Sequence, residues 1–242
     1  MANVGGPAQR RRMDIILVPG LWLDASSWDD VVPALAAAGH RPVPLTLPGV
    51  GEPVERSSDT GMSDWVDAVV DRIDASNGSV VLVGHSGGGN VVWGAAAARA
   101  DRVARVIFVD TVPPPAGSGI SEFEVVEGVV PFPGWDYFPD EDVTDLDETT
   151  RARTLPLTHS VPARVPTDPV QLSGEQHRVP VTPLMGGMDR QQIEAEIDQW
   201  GPYADEYRAI KDVAVETIGS GHWPQFSQPH RLAELINATA SA

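Results

Sequence analysis

Residues 80–90 read Val80-Val81-Leu82-Val83-Gly84-His85-Ser86-Gly87-Gly88-Gly89-Asn90, and an alanine-rich run follows them as far as Arg99. The apolar residues before Gly84 have the length of a buried strand, and the alanines after Asn90 favour a helix. Ser86 therefore lies in a tight Gly-x-Ser-x-Gly turn, where small residues relieve the backbone strain and let the helix pass close to the strands. Because the turn exposes the Ser86 hydroxyl at a helix N-terminus, developing negative charge is stabilised there. This is the position of a nucleophile.

A second motif, Gly221-His222-Trp223-Pro224, lies far downstream of this turn. Glycine-rich turns before helices also bind phosphates, so the turn alone has limited specificity. With the strand, the helix and the downstream histidine together, the chain resembles the α/β-hydrolase family over about residues 13–112 and 178–240. The resemblance implies an α/β fold with a mostly parallel central sheet flanked by helices, and the chemistry of a serine hydrolase.

The middle of the chain differs in composition from the parts on either side. Prolines and the acidic run Asp140-Glu141-Asp142 interrupt any long periodicity between Val112 and about Arg178, and a loop of this length is uncommon in a compact domain. In the family, this is where a lid is inserted. We therefore predict a flexible leader at residues 1–12, an α/β core formed by 13–112 and 178–242, and a cap or lid at 113–177.

Length and composition fit one large α/β domain, since 242 residues with 42% hydrophobic residues suffice for a sizeable core. The formal net charge of −17 argues against nucleic acid and anionic membrane surfaces as partners. The chain has no cysteine, which excludes disulfides and thiolate metal sites, and no apolar run long enough to span a membrane. The apolar stretch after Arg10-Arg11-Arg12 is too short for a signal peptide, and we expect a cytoplasmic protein.

His222 is the candidate general base for Ser86, because it follows the last predicted strand and so reaches the carboxyl edge of the sheet. Two aspartates are candidates for the acid that orients it. Asp189 follows the penultimate strand, the family's commonest place for the acid, but with Gln192 it also forms a good helix capping box. Asp110 ends the strand after the nucleophile helix, where haloalkane dehalogenases among other branches place the acid, although it also suits an Asx-turn. The choice is nearly even, and we favour Asp110 slightly because it has less loop slack.

The loop Pro19-Gly20-Leu21 takes the place of the family's His-Gly-x pattern. The resemblance assigns the two oxyanion-hole donors to the backbone N–H groups of Leu21 and Gly87. Candidate pocket residues flank the reacting groups: Trp22, His85 and Trp223. The aromatic residues of the predicted cap either line the pocket or hold the cap together: Phe123, Phe132, Trp135, Tyr137 and Phe138.

We therefore expect a serine hydrolase that cleaves an ester or related acyl bond of a small molecule without a metal or cofactor. Branches of the family with an aspartate nucleophile, which act on carbon–halogen and epoxide bonds, are disfavoured by Ser86. Two alternatives stay open. One is a lyase similar to the hydroxynitrile lyases, and the other is a small-molecule-binding protein that keeps the fold for recognition alone.

Overall fold

A computed structural model describes residues 12–241 of the protein. The predicted leader therefore lies outside the described residues except for Arg12. No helix within the described range combines the length and apolar character needed to cross a membrane.

One six-stranded sheet organises the molecule, and all of its strands run parallel, in the order β2-β1-β3-β4-β7-β8. Its strands are β1 Asp14–Val18, β2 Arg41–Pro44, β3 Val80–His85, β4 Val103–Val109, β7 Val181–Met185 and β8 Glu216–Thr217. A separate antiparallel pair consists of β5 Val129–Val130 and β6 Val161–Pro162. The predicted parallel sheet is confirmed, and the strand with Pro42 and Pro44 lies at its edge, as proline in a strand indicates.

The helices vary widely in length. The longer ones are α3 Met62–Asp74, α4 Gly88–Ala98, α8 Pro202–Ala209 and α10 Pro229–Ala240. The shorter ones are α1 Val32–Ala37, α2 Val54–Ser57, α5 Asp140–Val143, α6 Glu148–Thr154, α7 Arg190–Glu196 and α9 Pro224–Ser227. Five 3₁₀ turns complete the set at Ala25–Trp28, Trp135–Tyr137, Leu155–Leu157, Glu175–Arg178 and Ile197–Gln199.

Helices cover both faces of the sheet, because alternate residues of each strand point to opposite sides. Ile16 and Val18 of β1 pack with α3 and α4 in one buried cluster. Ile15 and Leu17 pack with α1 and α10 in another. The inner strands β1, β3, β4 and β7 are therefore mostly apolar, whereas the edge strands β2 and β8 are partly exposed and are not.

Close packing explains two glycines of the central turn. A Cβ atom on Gly88 would lie 2.5 Å from the carbonyl oxygen of Pro19, and one on Gly84 would lie 2.6 Å from the carbonyl oxygen of Gly88. Side chains at these positions would collide with backbone atoms, so the first turn of α4 approaches β1 and β3 only because both residues are glycine.

The structure differs from the sequence prediction at three elements. The partly alternating residues 213–218 predict a last strand of that length, but β8 holds only two residues, and Val213 forms an isolated bridge to Val181. The pattern from Ser27 to Asp30 indicates a helix start, and Pro33 indicates a later first turn for the same helix. The helix begins at Val32 with Pro33 in its first turn, and Asp24 caps a separate 3₁₀ turn before it. Helix α8 was not predicted.

The segment 113–177, called the insertion below, connects β4 to β7. It holds only short elements, as its prolines indicated. Its aromatic residues contact the core near the carboxyl edge of the sheet, where Trp135 packs on Trp223 with ring centroids 5.1 Å apart. Its role as a cap stays a prediction.

Candidate active site

Ser86 lies where β3 ends and α4 is about to begin. Its φ angle of +50° falls in the left-handed region, which a residue other than glycine adopts only under strain. Hydrogen bonds fix this conformation, since Ser86 N–H donates to the Val109 carbonyl at 3.1 Å and its own carbonyl accepts from Gly89 N–H at 2.8 Å. Ser86 lines a cavity that His222 also lines.

His222 lies on the loop after β8 and is oriented by Asp110. Its Nδ1 atom lies 2.6 Å from Asp110 Oδ2, and the other carboxylate oxygen accepts from Gly186 N–H at 2.7 Å. Burial raises the pKa of Asp110, but the hydrogen bond and charge of His222, with the Gly186 N–H, outweigh it and lower this pKa below its usual range. The ionised carboxylate holds the proton on Nδ1, so the Nε2 atom of His222 is left with a free lone pair.

Asp189, the other candidate acid, is placed elsewhere. It is exposed and caps α7, where its carboxylate accepts from Gln192 N–H at 2.9 Å and the Gln192 side chain accepts from Asp189 N–H at 2.8 Å. This reciprocal pair is the capping box that the sequence indicated. The β7–α7 loop thus contributes the Gly186 N–H that supports Asp110, while its own aspartate serves the helix.

Two backbone N–H groups next to Ser86 are free to bind an anion. Neither Leu21 N–H nor Gly87 N–H donates to a protein acceptor within the described residues, and both residues line the cavity. The two are neighbours, because a Cβ on Gly87 would lie 3.2 Å from Leu21 Cγ. The arrangement of paired donors beside a hydroxyl suits an oxyanion that forms on a carbonyl attacked there.

His85 connects the nucleophile turn to the His222 loop. Its Nε2 lies 2.7 Å from the carbonyl oxygen of His222, and since a carbonyl can only accept, this nitrogen carries the proton. The Nδ1 atom then accepts from Gln225 Nε2 at 3.2 Å. Burial, with the nearby His222, lowers the pKa of His85 to about 3, so the imidazole is neutral. His85 was predicted to line the pocket, which it does, but its hydrogen bonds also tie two loops together.

We expect the titration of His85 to make the protein less stable in mild acid. Its pKa of about 3 lies below the ordinary value of 6.5, so between these values the unfolded chain binds the extra proton. Stability is then fully present above pH 6.5 and falls as the pH drops, by up to about 1.4 kcal/mol per pH unit. Urea unfolding at pH 4.5, 5.5 and 7.5 should show a smaller acid loss for His85→Gln than for wild type. Parallel pH dependences would contradict this.

The cavity around Ser86 has a volume of about 260 Å³. Trp22, predicted either to line a pocket or to join the core, does both, because it lines the cavity yet is only 5% exposed. Trp223 also lines it. Uncharged side chains, apolar and polar, form most of the remaining wall: Val112, Thr111, Asn90, Ile120, Ser121, Phe123, Phe138 and Tyr203. Among residues 12–241, no lysine or arginine lines this cavity.

The aromatic residues of the insertion divide between the two roles considered for them. Phe123 and Phe138 line the cavity and pack edge-on against Trp22, with centroids 4.8 and 5.9 Å away. Phe132 and Trp135 instead hold the insertion together and against the core. They pack edge-on against each other with centroids 4.9 Å apart, and each also packs against a core tryptophan, Phe132 against Trp22 and Trp135 against Trp223. Tyr137 is 59% exposed. The insertion therefore supplies part of the cavity wall.

Some residues around His222 carried no signal in the sequence. Asp142 and Asp145 of the insertion contact the His222 loop, and burial raises the pKa of Asp142, with the charge of Asp110 adding to it while His222 opposes it. Gln225, fully buried, supports His85. These contacts join segments that are distant in the chain, so no local pattern could indicate them. Among residues 12–241, no group of three or more histidine or acidic side chains is arranged to hold a metal ion.

The chain is similar in sequence to known hydrolases. A family model described as the alpha/beta hydrolase family matches residues 15–235. A probable esterase of Oryza sativa subsp. indica is 32% identical over 147 residues, or 59% of this chain and 54% of the esterase. A pyrethroid hydrolase of Sphingobium wenxiniae is 29% identical over an alignment that covers 95% of this chain and 88% of that protein. The chain thus spans about half the length of the rice relative and most of the length of the bacterial one.

Solved structures share the fold. An extracellular alpha/beta-hydrolase from a Paenibacillus species has a TM-score of 0.74 at 19% identity, covering 95% of this chain and 99% of that chain. A pyrethroid hydrolase from Sphingobium faniae has a TM-score of 0.66 at 22% identity, covering 96% and 98%. The predicted fold and the family resemblance are confirmed.

Proposed function

Since this chain belongs to the alpha/beta hydrolase family, we propose that it is a serine hydrolase that cleaves an ester through an acyl-serine intermediate. The observation that carries the proposal is the 2.6 Å contact between His222 Nδ1 and Asp110 Oδ2, which favours the tautomer with its lone pair on Nε2, in a cavity that Ser86 also lines. A histidine held in this tautomer can act as a general base, because Nε2 can accept a proton.

The proposed reaction has two steps. Ser86 Oγ attacks the ester carbonyl while His222 Nε2 takes its proton, and the N–H groups of Leu21 and Gly87 hold the oxyanion. His222 then gives the proton to the departing alkoxide, which leaves as an alcohol, and Ser86 stays acylated. In the second step His222 takes a proton from water while the water oxygen attacks the acyl carbonyl. The bond between Ser86 Oγ and the acyl carbon then breaks, His222 returns the proton to Ser86 Oγ, and the products are a carboxylic acid and free Ser86. Asp110 remains ionised throughout and stabilises the imidazolium.

Small uncharged esters suit the cavity best. Its volume of about 260 Å³ is small compared with the roughly 300–1,000 Å³ of drug-sized sites. Aromatic and aliphatic side chains dominate its wall, and the part of the chain that the structure describes places no lysine or arginine there to pair with an anionic substrate. The relatives described as esterases and pyrethroid hydrolase support an acyl bond as the target.

A matched pair of esters tests this proposal. Phenyl acetate and 4-carboxyphenyl acetate share the acyl group, and the carboxylate makes the second the slightly better leaving group. We expect the neutral ester to be hydrolysed with a kcat/KM at least about tenfold higher, since an unpaired carboxylate loses its hydration in the cavity. Equal rates would contradict the substrate class. Failure to hydrolyse either ester, or any p-nitrophenyl ester of short to medium chain, would contradict the hydrolase.

The two other functions considered from sequence remain distinguishable from hydrolysis. A lyase of the hydroxynitrile type relies on a charged pocket residue, and the described residues that line the cavity include no lysine or arginine. A protein that only binds its ligand would show tight binding without turnover. The partner that we propose is accordingly a small-molecule ester, and the cytoplasmic location stays a prediction.

A further inference from the structure

The loop that carries His222 is held from two sides, by the core and by the insertion. The core binds its beginning, where Gly219 N–H and Ser220 N–H donate to the Gly186 carbonyl at 2.9 and 3.1 Å. The next two N–H groups turn the other way. Gly221 N–H donates to Asp145 Oδ2 at 2.9 Å, and His222 N–H donates to the carbonyl of Asp142 at 2.8 Å. The peptide next to the imidazole is therefore fixed by the insertion.

The fit between these two segments is tight. A Cβ atom on Gly221 would lie 2.4 Å from the Asp142 carbonyl oxygen and 2.6 Å from Asp145 Oδ1, so any side chain at this position would push the loop away. With the His222 carbonyl bound by His85, both backbone polar groups of His222 have protein partners. The imidazole is placed by this peptide as well as by Asp110.

The buried carboxylate of Asp145 lowers the stability of the folded protein. Its Oδ1 atom is buried and has no hydrogen-bond partner among the described residues. An unpartnered buried carboxylate oxygen destabilises the fold. The other oxygen forms a charge-assisted bond to a backbone N–H, which is about twice as strong as a neutral one. One oxygen of Asp145 therefore destabilises the fold, while the other restrains the His222 loop.

We propose that Asp145 is a positioning residue for His222, and that the insertion thereby takes part in orienting the base as well as in forming the cavity wall. This inference rests on the proposed function, because it assigns His222 the role of base. A misplacement of a reacting group by about 1 Å can cost on the order of 100-fold in rate. Loss of one of the loop's restraints should therefore lower kcat while leaving KM, which the cavity wall sets, nearly unchanged.

The test compares Asp145→Ala with Asp145→Asn. We expect Asp145→Ala to lower kcat for phenyl acetate by about 10- to 100-fold with KM within about twofold. Asp145→Asn keeps an oxygen that can accept from Gly221 N–H, and we expect it to restore kcat to within about threefold of wild type. If the alanine variant does not fold, Asp145→Val, whose side chain also lacks an acceptor for Gly221 N–H, supplies the same comparison.

Asp147→Ala is the matched control. Asp147 lies two residues further along the insertion and caps α6 by accepting from Thr150 N–H at 2.7 Å. Its removal should lower the melting temperature of the protein without changing kcat, because it does not contact the His222 loop. A loss of kcat in Asp147→Ala equal to that in Asp145→Ala would overturn the proposal in favour of general destabilisation, and so would a wild-type kcat in Asp145→Ala.

Amide hydrogen exchange separates this inference from the proposed function. A peptide covering residues 219–223 should exchange faster in Asp145→Ala than in wild type and recover in Asp145→Asn, because Gly221 N–H loses and regains its acceptor. Unchanged protection would overturn the proposal whatever the activity. If protection changes as expected but wild type hydrolyses no ester, the proposed function fails, and the positioning role fails with it.

Discussion

Replacing Ser86 with alanine is expected to lower kcat for ester hydrolysis by on the order of 10⁶-fold, because the general base then has no hydroxyl to activate. The fold should survive, since the alanine keeps the backbone hydrogen bonds to Val109 and Gly89. The measurement is steady-state hydrolysis of phenyl acetate beside a thermal unfolding curve. The residual rate reports what the remaining site contributes.

Ser121→Ala is the control for this prediction. Ser121 also lines the cavity, but it lies on the insertion and has no part in the proposed chemistry. Its kcat should stay within about threefold of wild type, since an exposed hydroxyl away from the reacting atoms contributes little. A comparable loss of kcat in both variants would contradict the assignment of Ser86 as the nucleophile.

The second large effect is expected from Asp110→Asn, with a fall in kcat of about 10⁴-fold. Gly186 N–H donates to the inner carboxylate oxygen, so the asparagine turns its own oxygen to this donor and presents its NH₂ group to His222. His222 Nδ1 must then accept, its proton moves to Nε2, and the base is lost. Kinetics with phenyl acetate at neutral pH provide the measurement.

Asp189→Asn distinguishes the two candidate acids. Asparagine is as good a helix N-cap as aspartate, so the variant should keep both its stability and, within about threefold, its kcat. If Asp189→Asn instead lost far more activity than Asp110→Asn, the acid would lie after β7, and the hydrogen bond between His222 and Asp110 would have another purpose.

Local sequence patterns predicted the parts of the site that depend on neighbouring residues. The apolar run before Gly84 and the small residues after it indicated the turn at Ser86, because strand length and steric space are properties of a short segment. Asp189 with Gln192 indicated a capping box for the same reason, and the structure contains it. The edge position of β2 followed from its prolines.

Other features depend on tertiary contacts and could not be predicted locally. The alternating sequence predicts a longer last strand than the structure contains, because β8 pairs with β7 over only two residues. The preference between Asp110 and Asp189 was close to even from sequence, since what places Asp110 against His222 is the N–H of Gly186, 76 residues away. The contact of Asp145 with Gly221 likewise spans 76 residues.

The central claim is that His222 activates Ser86, and labelling by a fluorophosphonate probe with intact-mass detection tests it most directly. We predict one adduct per chain, mapped by peptide analysis to Ser86, forming at least about 100-fold more slowly in His222→Ala because the nucleophile loses its base. Ser86→Ala should take up no probe. Absence of labelling in the folded wild type, or labelling of Ser86 at an unchanged rate in His222→Ala, would contradict the account.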